Sequence, residues 1–435
     1  MIRVGVTLTR AGGWPRMLLV GGCTAVVTGL LLVVVAILRL PAEPAERLFA
    51  LVGEPGLRGG TTFATAMLCV PALLLLYQAV RLGTAARERR LAALRLAGAT
   101  PGDVRALGAV EVALPASVGS VAGIGVYGLL RLVLGGELAE LRLVPTSVAP
   151  AWWQMLVVVV GVTGLGVAVG LLASRRVVVT PLGVTRREAP PPPRPWGALL
   201  LAVAAGGFAT LRTGVPRQVA YAIVFAAIAV TVLGIVSLAP WIAYRSARYV
   251  LNRTASPTLT LAASRIVAEP RPVARAAAAV GGIALVAGGA GTTATPALQQ
   301  TDDPFYLVSY LLVAAVLLVA LVMVVGTLAV HAAESLLDRK RSIAALAALG
   351  TSVQEMERAQ FAEIALAALP VAAAGALLGT IALGGLGFVT PLSAAVQLLT
   401  LALTLGLVWL AIELAVRATR PWVRRATSVE NLRTA

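Results

Sequence analysis

The residues best suited to charge chemistry in this chain are arginines that lie between two long apolar runs. Arg87, Arg89 and Arg90 lead into a short amphipathic stretch that carries Leu94 and Gly98 at helical spacing. A turn of small residues ends the stretch. The stretch is too charged to lie in lipid and too short to form a domain. We therefore expect a helix that is held at the membrane surface by an apolar span on each side.

A second basic stretch repeats this pattern later in the chain. Arg339, Lys340 and Arg341 come before Leu346 and Gly350. Gly350 follows Gly98 by 252 residues. The same offset aligns Leu94 with Leu346, Thr100 with Ser352, Asp103 with Glu355, and Glu111 with Glu363. One constant offset that matches charge, turn and later acid indicates an internal repeat.

Two interpretations of a basic stretch have to be weighed. A single copy is typical of a cytoplasmic loop that touches anionic lipid. A short helix attached rigidly to two spans can instead convert a push from a soluble partner into movement of both spans. The duplication of the turn and of the later acid favours the second interpretation. Glu111 and Glu363 could pair with arginines of the basic stretches or couple their spans to the moving helix. The alternative for both is a carboxylate that extends to the membrane interface.

Composition identifies the chain as a polytopic membrane protein. Of its 435 residues, 59% are apolar and 13% are charged, whereas about a quarter are charged in an average soluble domain. The net charge of +17 comes from arginine, and an arginine excess marks the cytoplasmic loops of membrane proteins. The two basic stretches are not interleaved with aromatic residues, so we expect no nucleic-acid partner.

Chemistry within the chain itself is not expected. The one lysine, Lys340, has no glycine-rich loop before it, so a Walker A nucleotide site is absent from the sequence. There is one histidine, His331, and the two cysteines, Cys23 and Cys69, fall in separate apolar runs. These counts argue against a metal site or a disulfide. We predict no catalytic residue, no metal and no cofactor, and hence no enzyme.

Apolar runs predict an all-α protein with ten transmembrane helices. The predicted spans are 17–38, 62–80, 106–134, 151–173, 196–211, 219–244, 276–294, 305–330, 361–389 and 394–416. Arginines crowd the two termini and the loops after every second span, so both termini and both basic stretches are expected in the cytoplasm. The remaining loops are short, and no large extracellular domain is expected.

The repeat divides the chain into two parallel four-helix units around a two-helix insert. The predicted segments are a first unit, 1–185, with coupling segment 84–105; a Pro/Arg-rich cytoplasmic linker, 186–195; the insert, 196–244; a basic cytoplasmic segment, 245–275; and a second unit, 276–435, with coupling segment 336–357. An even number of inserted helices keeps the two units parallel.

Three GxxxG motifs predict close helix packing. Their glycines are Gly119 and Gly123, Gly166 and Gly170, and Gly375 and Gly379. Because Gly123 and Gly375 correspond under the 252-residue offset, we expect the third and ninth spans to pack alike.

The basic stretches resemble a known family. The run from Arg87 through Glu88 to Thr100 is similar to the signature of FtsX-like permeases of the MacB and BceB type, the membrane subunits of type VII ABC transporters. The copy from Arg339 to Thr351 resembles it equally. Residues 180–184 and 428–433 resemble the family's exit segments. Unlike the better-known members, this chain has short loops where they carry a large extracytoplasmic domain.

The resemblance implies a function as well as a fold. It implies a bacterial plasma-membrane permease, one copy of which works with two cytoplasmic P-loop ATPase subunits that bind ATP and Mg²⁺. The ATPase-coupling residues would be Arg87, Glu88, Arg89, Arg90, Leu94, Gly98, Thr100, Arg339, Lys340, Arg341, Leu346, Gly350 and Thr351. The expected activity is export or extraction of an amphiphilic or hydrophobic substrate such as a lipid, peptide or antibiotic.

Two other functions remain open at this point. A mechanotransmitting FtsX-like protein would control an extracytoplasmic partner without moving a substrate, and it would need an outer docking surface on loops 39–61 and 135–150. An ion-coupled secondary transporter built on a parallel repeat would place ionisable or unwound segments at the bilayer midplane, and the sequence shows no convincing one. Membrane lipids are the remaining expected partner.

Overall fold

The apolar runs form long helices. The structure, a computed structural model, describes residues 14–44, 46–81, 98, 100–135, 142–179, 191–300, 304–383 and 391–426. Within these ranges all regular structure is helical, which confirms the predicted all-α class.

The first compact unit, Met1–Arg187, contains six of these helices. They are α1 (Trp14–Leu38), α2 (Ala50–Gly53), α3 (Pro55–Met67), α4 (Cys69–Arg81), α5 (Pro101–Gly135) and α6 (Trp152–Val179). The described residues of the second compact unit, Glu188–Ala435, form eight helices and one 3₁₀ turn, Leu211–Thr213. The helices are α7 (Trp196–Thr210), α8 (Arg217–Leu251), α9 (Pro257–Ala268), α10 (Pro270–Gln300), α11 (Pro304–Asp338), α12 (Lys340–Ala348), α13 (Val353–Leu383) and α14 (Pro391–Ala426).

Nine helical segments in the described part of the chain are long and apolar enough to cross a membrane. The predicted fifth span is the exception. It forms α7, whose 15 residues reach only about 22 Å at 1.5 Å per residue, less than the roughly 30 Å of a hydrocarbon core. A left-handed glycine, Gly214 with φ of 78°, ends the turn that follows α7.

The predicted second span starts earlier than its apolar run and is interrupted. Helix α3 begins at Pro55, and a turn at Leu68 separates it from α4. The early start has a local cause. Arg58 donates hydrogen bonds to the carbonyls of Pro41, Val52 and Gly53 at 2.7–2.8 Å. These bonds satisfy the charged side chain of Arg58 near the start of α3. Hydropathy alone places this charged residue outside the span.

In the first unit, α1 packs along α5 through small residues. An added Cβ at Gly123 would lie 2.7 Å from the carbonyl oxygen of Ala25, and one at Gly119 would collide with the backbone of Gly21. Helix α6 also packs against α5, where Gly166 faces Ala116.

In the second unit, α10 packs along α13 in the same manner. Added Cβ atoms at Gly375 and Gly379 would collide with the carbonyl oxygens of Gly281 and Leu285. The first helix and the third helix of the four-helix pattern are therefore a close-packed pair in each unit.

The insert belongs to the second unit by its contacts. Helices α7 and α8 form a tight pair, and α8 also packs against α10 and α13. Helix α9 lies against α13 and buries Ala262, Ala263 and Ile266 completely. Helix α9 lies within the segment 245–275, which the sequence predicts to be basic and cytoplasmic.

Candidate coupling site

The second basic stretch folds as a short helix and a sharp turn between two membrane-spanning helices. Helix α12 follows α11 after one residue, and Gly350, whose φ is 93°, lies two residues beyond its last residue. The N–H of Thr351 donates to the carbonyl of Leu346 at 3.1 Å, and that of Gly350 donates to Ala347 at 3.0 Å. These two bonds and the left-handed glycine form a Schellman cap, which reverses the chain direction. We call residues 339–355 the second elbow.

The second elbow leads into α13 through a reciprocal cap. The N–H and hydroxyl of Ser352 both donate to the Glu355 carboxylate at 2.9 Å, and the N–H of Glu355 donates to the Ser352 hydroxyl at 3.2 Å. This capping box satisfies N–H groups that the first turn of a helix leaves without partners. It also places a negative charge at the positive end of the α13 dipole.

The first unit has the same junction 252 residues earlier. We call the corresponding residues, 87–103, the first elbow; of these the structure describes residues 98 and 100–103. Gly98 has a φ of 98°. The N–H and hydroxyl of Thr100 donate to the Asp103 carboxylate at 3.0 and 2.7 Å, and the N–H of Asp103 donates to the Thr100 hydroxyl at 3.2 Å. The hydrogen bonds from Thr100 hold the pKa of Asp103 below its ordinary value. A left-handed glycine and a capping box therefore begin α5 and α13 alike.

A buried carboxylate lies eight residues beyond each capping acid. Glu363, which is 5% exposed, accepts hydrogen bonds from Arg339 at 3.1 Å and from Arg265 at 3.4 Å. Burial lowers the pKa of the Arg265 guanidinium, and Glu363 opposes that shift by stabilising the charge. Arg339 opens the second elbow and Arg265 lies on α9. Glu363 thus joins the elbow, α9 and α13 at one point.

Glu111 takes the corresponding position on α5 and has a different arginine. It is 8% exposed and forms an ion pair with Arg16 at the start of α1. Arg16 also donates to the carbonyl of Val80 near the end of α4 at 3.1 Å. This ion pair joins α1, α4 and α5 close to the residue from which the first basic stretch departs. Both acids are buried in ion pairs rather than extended into solvent.

The second elbow has one packed face and one open face. Ile343 and Ala344 on α12 are buried, with Ile343 in a cluster that includes Leu336 and Met356. Leu349 at the tip is 83% exposed. The elbow is therefore held to α11 and α13 by its inner face, and it presents an apolar tip outward.

Several predicted coupling residues lie outside the described part of the chain. These are Arg87, Glu88, Arg89, Arg90 and Leu94. Lys340 and Arg341 are in the first turn of α12 and Leu346 is half-buried near its end. The structure brings Arg339 to Glu363, and it places Gly98, Thr100 and Gly350 at the turns.

Arg16 and Arg265 contact the two predicted acids but were not among the predicted site residues. Arg16 lies near the start of α1 and Arg265 lies in the last turn of α9, and each helix packs against the acid's own helix. A sequence signal exists in both cases, namely a lone arginine at the polar edge of an apolar helix. It does not tell which acid elsewhere in the chain the arginine meets.

Comparison with known proteins identifies the first unit. The family model for the FtsX-like permease C-terminal domain matches residues 62–182. Residues 62–182 are an FtsX-like permease domain. The matched segment runs from α3 through the first basic stretch to the end of α6, and it includes the Gly98 turn, the α5 cap and Glu111.

The match confirms the family resemblance of the first basic stretch. The resemblance of the second basic stretch stays a prediction. The chain is therefore a multi-pass membrane protein that carries an FtsX-like permease match at residues 62–182. No curated protein and no solved structure gives a significant match over the chain.

Proposed function

We propose that this FtsX-like protein is the permease subunit of an ABC transporter in the bacterial plasma membrane, with both termini in the cytoplasm. Two cytoplasmic ATPase subunits contact the two basic elbows of one chain and bind the ATP and Mg²⁺. Closure of the two ATPase subunits moves the two four-helix units predicted from the repeat. This movement transfers an amphiphilic or hydrophobic molecule, such as a lipid, peptide or antibiotic.

One observation carries this proposal. A left-handed glycine, a capping box and a buried ion-paired glutamate recur in the same order, 252 residues apart, where a basic stretch enters a membrane-spanning helix. A loop that only touched lipid would not need this construction. Two junctions of the same design suit two copies of one partner.

The second elbow has the contacts that force transmission requires. Displacement of its exposed tip at Leu349 would act on α12, which is fixed by Ile343 to the apolar cluster and by Arg339 to Glu363 on α13. Since Glu363 also binds Arg265, the displacement reaches α9 and the insert. Coupling then travels through a packed helix and an ion-pair cluster rather than through a flexible loop.

A second candidate, mechanotransmission to an extracytoplasmic partner, is favoured by the opposite end of the first unit. There the Glu46 carboxylate accepts hydrogen bonds from the hydroxyls of Thr146 and Ser147 at 2.7 and 2.6 Å. Burial raises the pKa of Glu46, but these hydrogen bonds outweigh it and leave the pKa below its ordinary value. These hydrogen bonds join the loop after α1 to the loop after α5, and the two loops form one surface that a partner could contact.

The decisive experiment reconstitutes the full chain in proteoliposomes with a candidate cytoplasmic P-loop ATPase from the same organism. We expect two ATPase subunits per chain by native mass spectrometry, and ATP hydrolysis that rises on reconstitution. Charge reversal of both elbows, Arg89→Glu with Arg341→Glu, should lower the stimulated hydrolysis at least tenfold, because it replaces attraction to an acidic partner surface with repulsion.

The control reverses one exposed charge elsewhere, Arg47→Glu in the loop between α1 and α2, and should leave hydrolysis unchanged. A chain that binds no ATPase, or whose elbow variant hydrolyses ATP at the normal rate, refutes the coupling. ATP-dependent transfer of a labelled amphiphile between the leaflets of the same vesicles separates transport from mechanotransmission, which predicts hydrolysis without transfer.

A further inference from the structure

The end of α8 carries an unusual series of aromatic and arginine pairs. The guanidinium of Arg245 lies 5.7 Å from the ring centre of Trp241. Arg248 donates to the Tyr244 hydroxyl at 3.3 Å. Each arginine follows its aromatic partner by four residues, so the two side chains are neighbours on the helix surface.

A third pair extends the series into the turn after α8. Arg253 donates to the Tyr249 hydroxyl at 2.9 Å, and its guanidinium lies 4.7 Å from the centre of the same ring. Tyr249 is 59% exposed. We call the three arginines, Arg245, Arg248 and Arg253, together with their aromatic partners, the arginine strip.

The arginine strip occupies one open face of the helix. Arg245, Arg248 and Tyr249 have the spacing of residues that share a helix face, and all three are exposed. The opposite face is fixed to the protein. Ala243 and Ala247 are fully buried there, and the Ser246 hydroxyl donates to the carbonyl of Leu366 on α13 at 2.8 Å. The strip therefore cannot rotate into the protein interior.

Helix length also places the strip at the depth expected for lipid headgroups. Helix α8 has 35 residues, about 52 Å at 1.5 Å per residue, whereas a hydrocarbon core takes about 20 residues. Counted from Val219, the hydrocarbon ends near Leu238. The start of α7 supports this level, because an added Cβ at Gly197 would lie 2.6 Å from the Leu238 nitrogen and the adjacent Trp196 is exposed. Tryptophans at such a level mark the membrane interface.

The charge of the strip is not balanced by the protein nearby. The sequence has no Asp or Glu from residue 191 to residue 268. Within the described part of the chain, no carboxylate forms an ion pair with Arg245, Arg248 or Arg253. An arginine has five N–H donors in a planar fork that matches phosphate. The tyrosine bonds use one donor each on Arg248 and Arg253 and hold the guanidinium groups in place.

We infer that the arginine strip is a binding site for the phosphate groups of anionic phospholipids in the leaflet that faces this end of α8. Charge complementarity, headgroup depth and fixed guanidinium groups all point to this one occupant. The strip is separate from both basic elbows, and its role is to hold the insert against the membrane surface while the elbows move.

The test uses the purified full chain in detergent, titrated with phosphatidylglycerol or phosphatidylcholine, with bound lipid counted by native mass spectrometry. The wild type should prefer phosphatidylglycerol. The variant Arg245→Gln, Arg248→Gln, Arg253→Gln should lose roughly 10- to 100-fold of that preference, since each interfacial arginine contributes a favourable term toward anionic lipid.

A matched control removes the same charge from three other exposed arginines through Arg358→Gln, Arg417→Gln, Arg420→Gln, and it should keep the preference. Equal loss in both variants would show an effect of net charge alone and would overturn the inference. So would an unchanged preference in the strip variant, or a strip variant that binds lipid normally but loses the ATPase. If the triple variant does not fold, Arg248→Gln alone should weaken phosphatidylglycerol binding severalfold, and normal binding would equally overturn it.

Discussion

Glu363 is the residue on which the second elbow depends. Its carboxylate is buried between guanidinium groups from two other parts of the chain. Removing the charge from such a cluster leaves two cations close together with no counter-ion. The energetic consequence is large because a buried charge that has lost its partner is costly.

We predict that Glu363→Gln lowers the free energy of unfolding by about 3 kcal/mol, the lower part of the range for breaking a buried ion pair, because both arginines are partly exposed. Glu413→Gln is the matched control. Glu413 pairs with Arg417 one turn away at 2.9 Å on an exposed helix face, and such a pair contributes about 0.5 kcal/mol or less. Unfolding by SDS in mixed micelles, followed by circular dichroism, measures both. Similar midpoints for the two variants would contradict a structural role for Glu363.

The acids of the site could be predicted from the sequence, and their partners could not. Glu111 and Glu363 are recognisable because one offset relates them along with the turn and the cap. Their arginines break that relation, since Arg16 comes from the first helix of its unit and Arg265 from the segment after the insert. An ion pair depends on which helices become neighbours, and a single sequence does not specify those neighbours.

At the scale of elements, hydropathy predicts which segments form helices, but it does not predict where each helix begins and ends. Helix α13 begins at Val353, eight residues before the apolar run that predicted it, because the Ser352 cap sets its start. Helices α5, α8, α11 and α14 likewise extend beyond their predicted spans. Hydropathy reports where lipid ends, whereas caps and turns determine where a helix ends.

Close packing between α1 and α5 gives the second prediction. Gly123→Ala should lower the free energy of unfolding by about 2 kcal/mol, because its new methyl group would meet the carbonyl of Ala25 at 2.7 Å and force the helices apart. Gly125→Ala on the same helix meets no atom within 4 Å. Alanine favours a helix over glycine, so this control should be neutral or slightly stabilising. The same SDS titration distinguishes them. Equal destabilisation by both changes would show that helix separation is not the cause.

At the scale of the whole molecule, we expect that the chain must stay uncut in some segments for the protein to function, and that it can be cut in others. Each compact unit contains its own close-packed helix pair and its own ion-paired glutamate. The connection between the units is a proline-rich segment near residue 187. The elbows differ from this linker, because each is the covalent route between a basic stretch and a membrane-spanning helix.

Cutting the chain at these two kinds of place therefore has different consequences. With a protease site inserted after Arg187, cleavage of the reconstituted protein should preserve helix content and ATP hydrolysis by the partner, because every helix keeps its elbow. The same site inserted after Gly350 should also preserve helix content, yet it should abolish the stimulated hydrolysis, because a cut elbow cannot transmit displacement to α13. Circular dichroism and phosphate release, measured before and after protease treatment, report the two quantities. Loss of helix content after the linker cut would mean that the units need their connection to stay folded, and full hydrolysis after the elbow cut would mean that force reaches the membrane by another path.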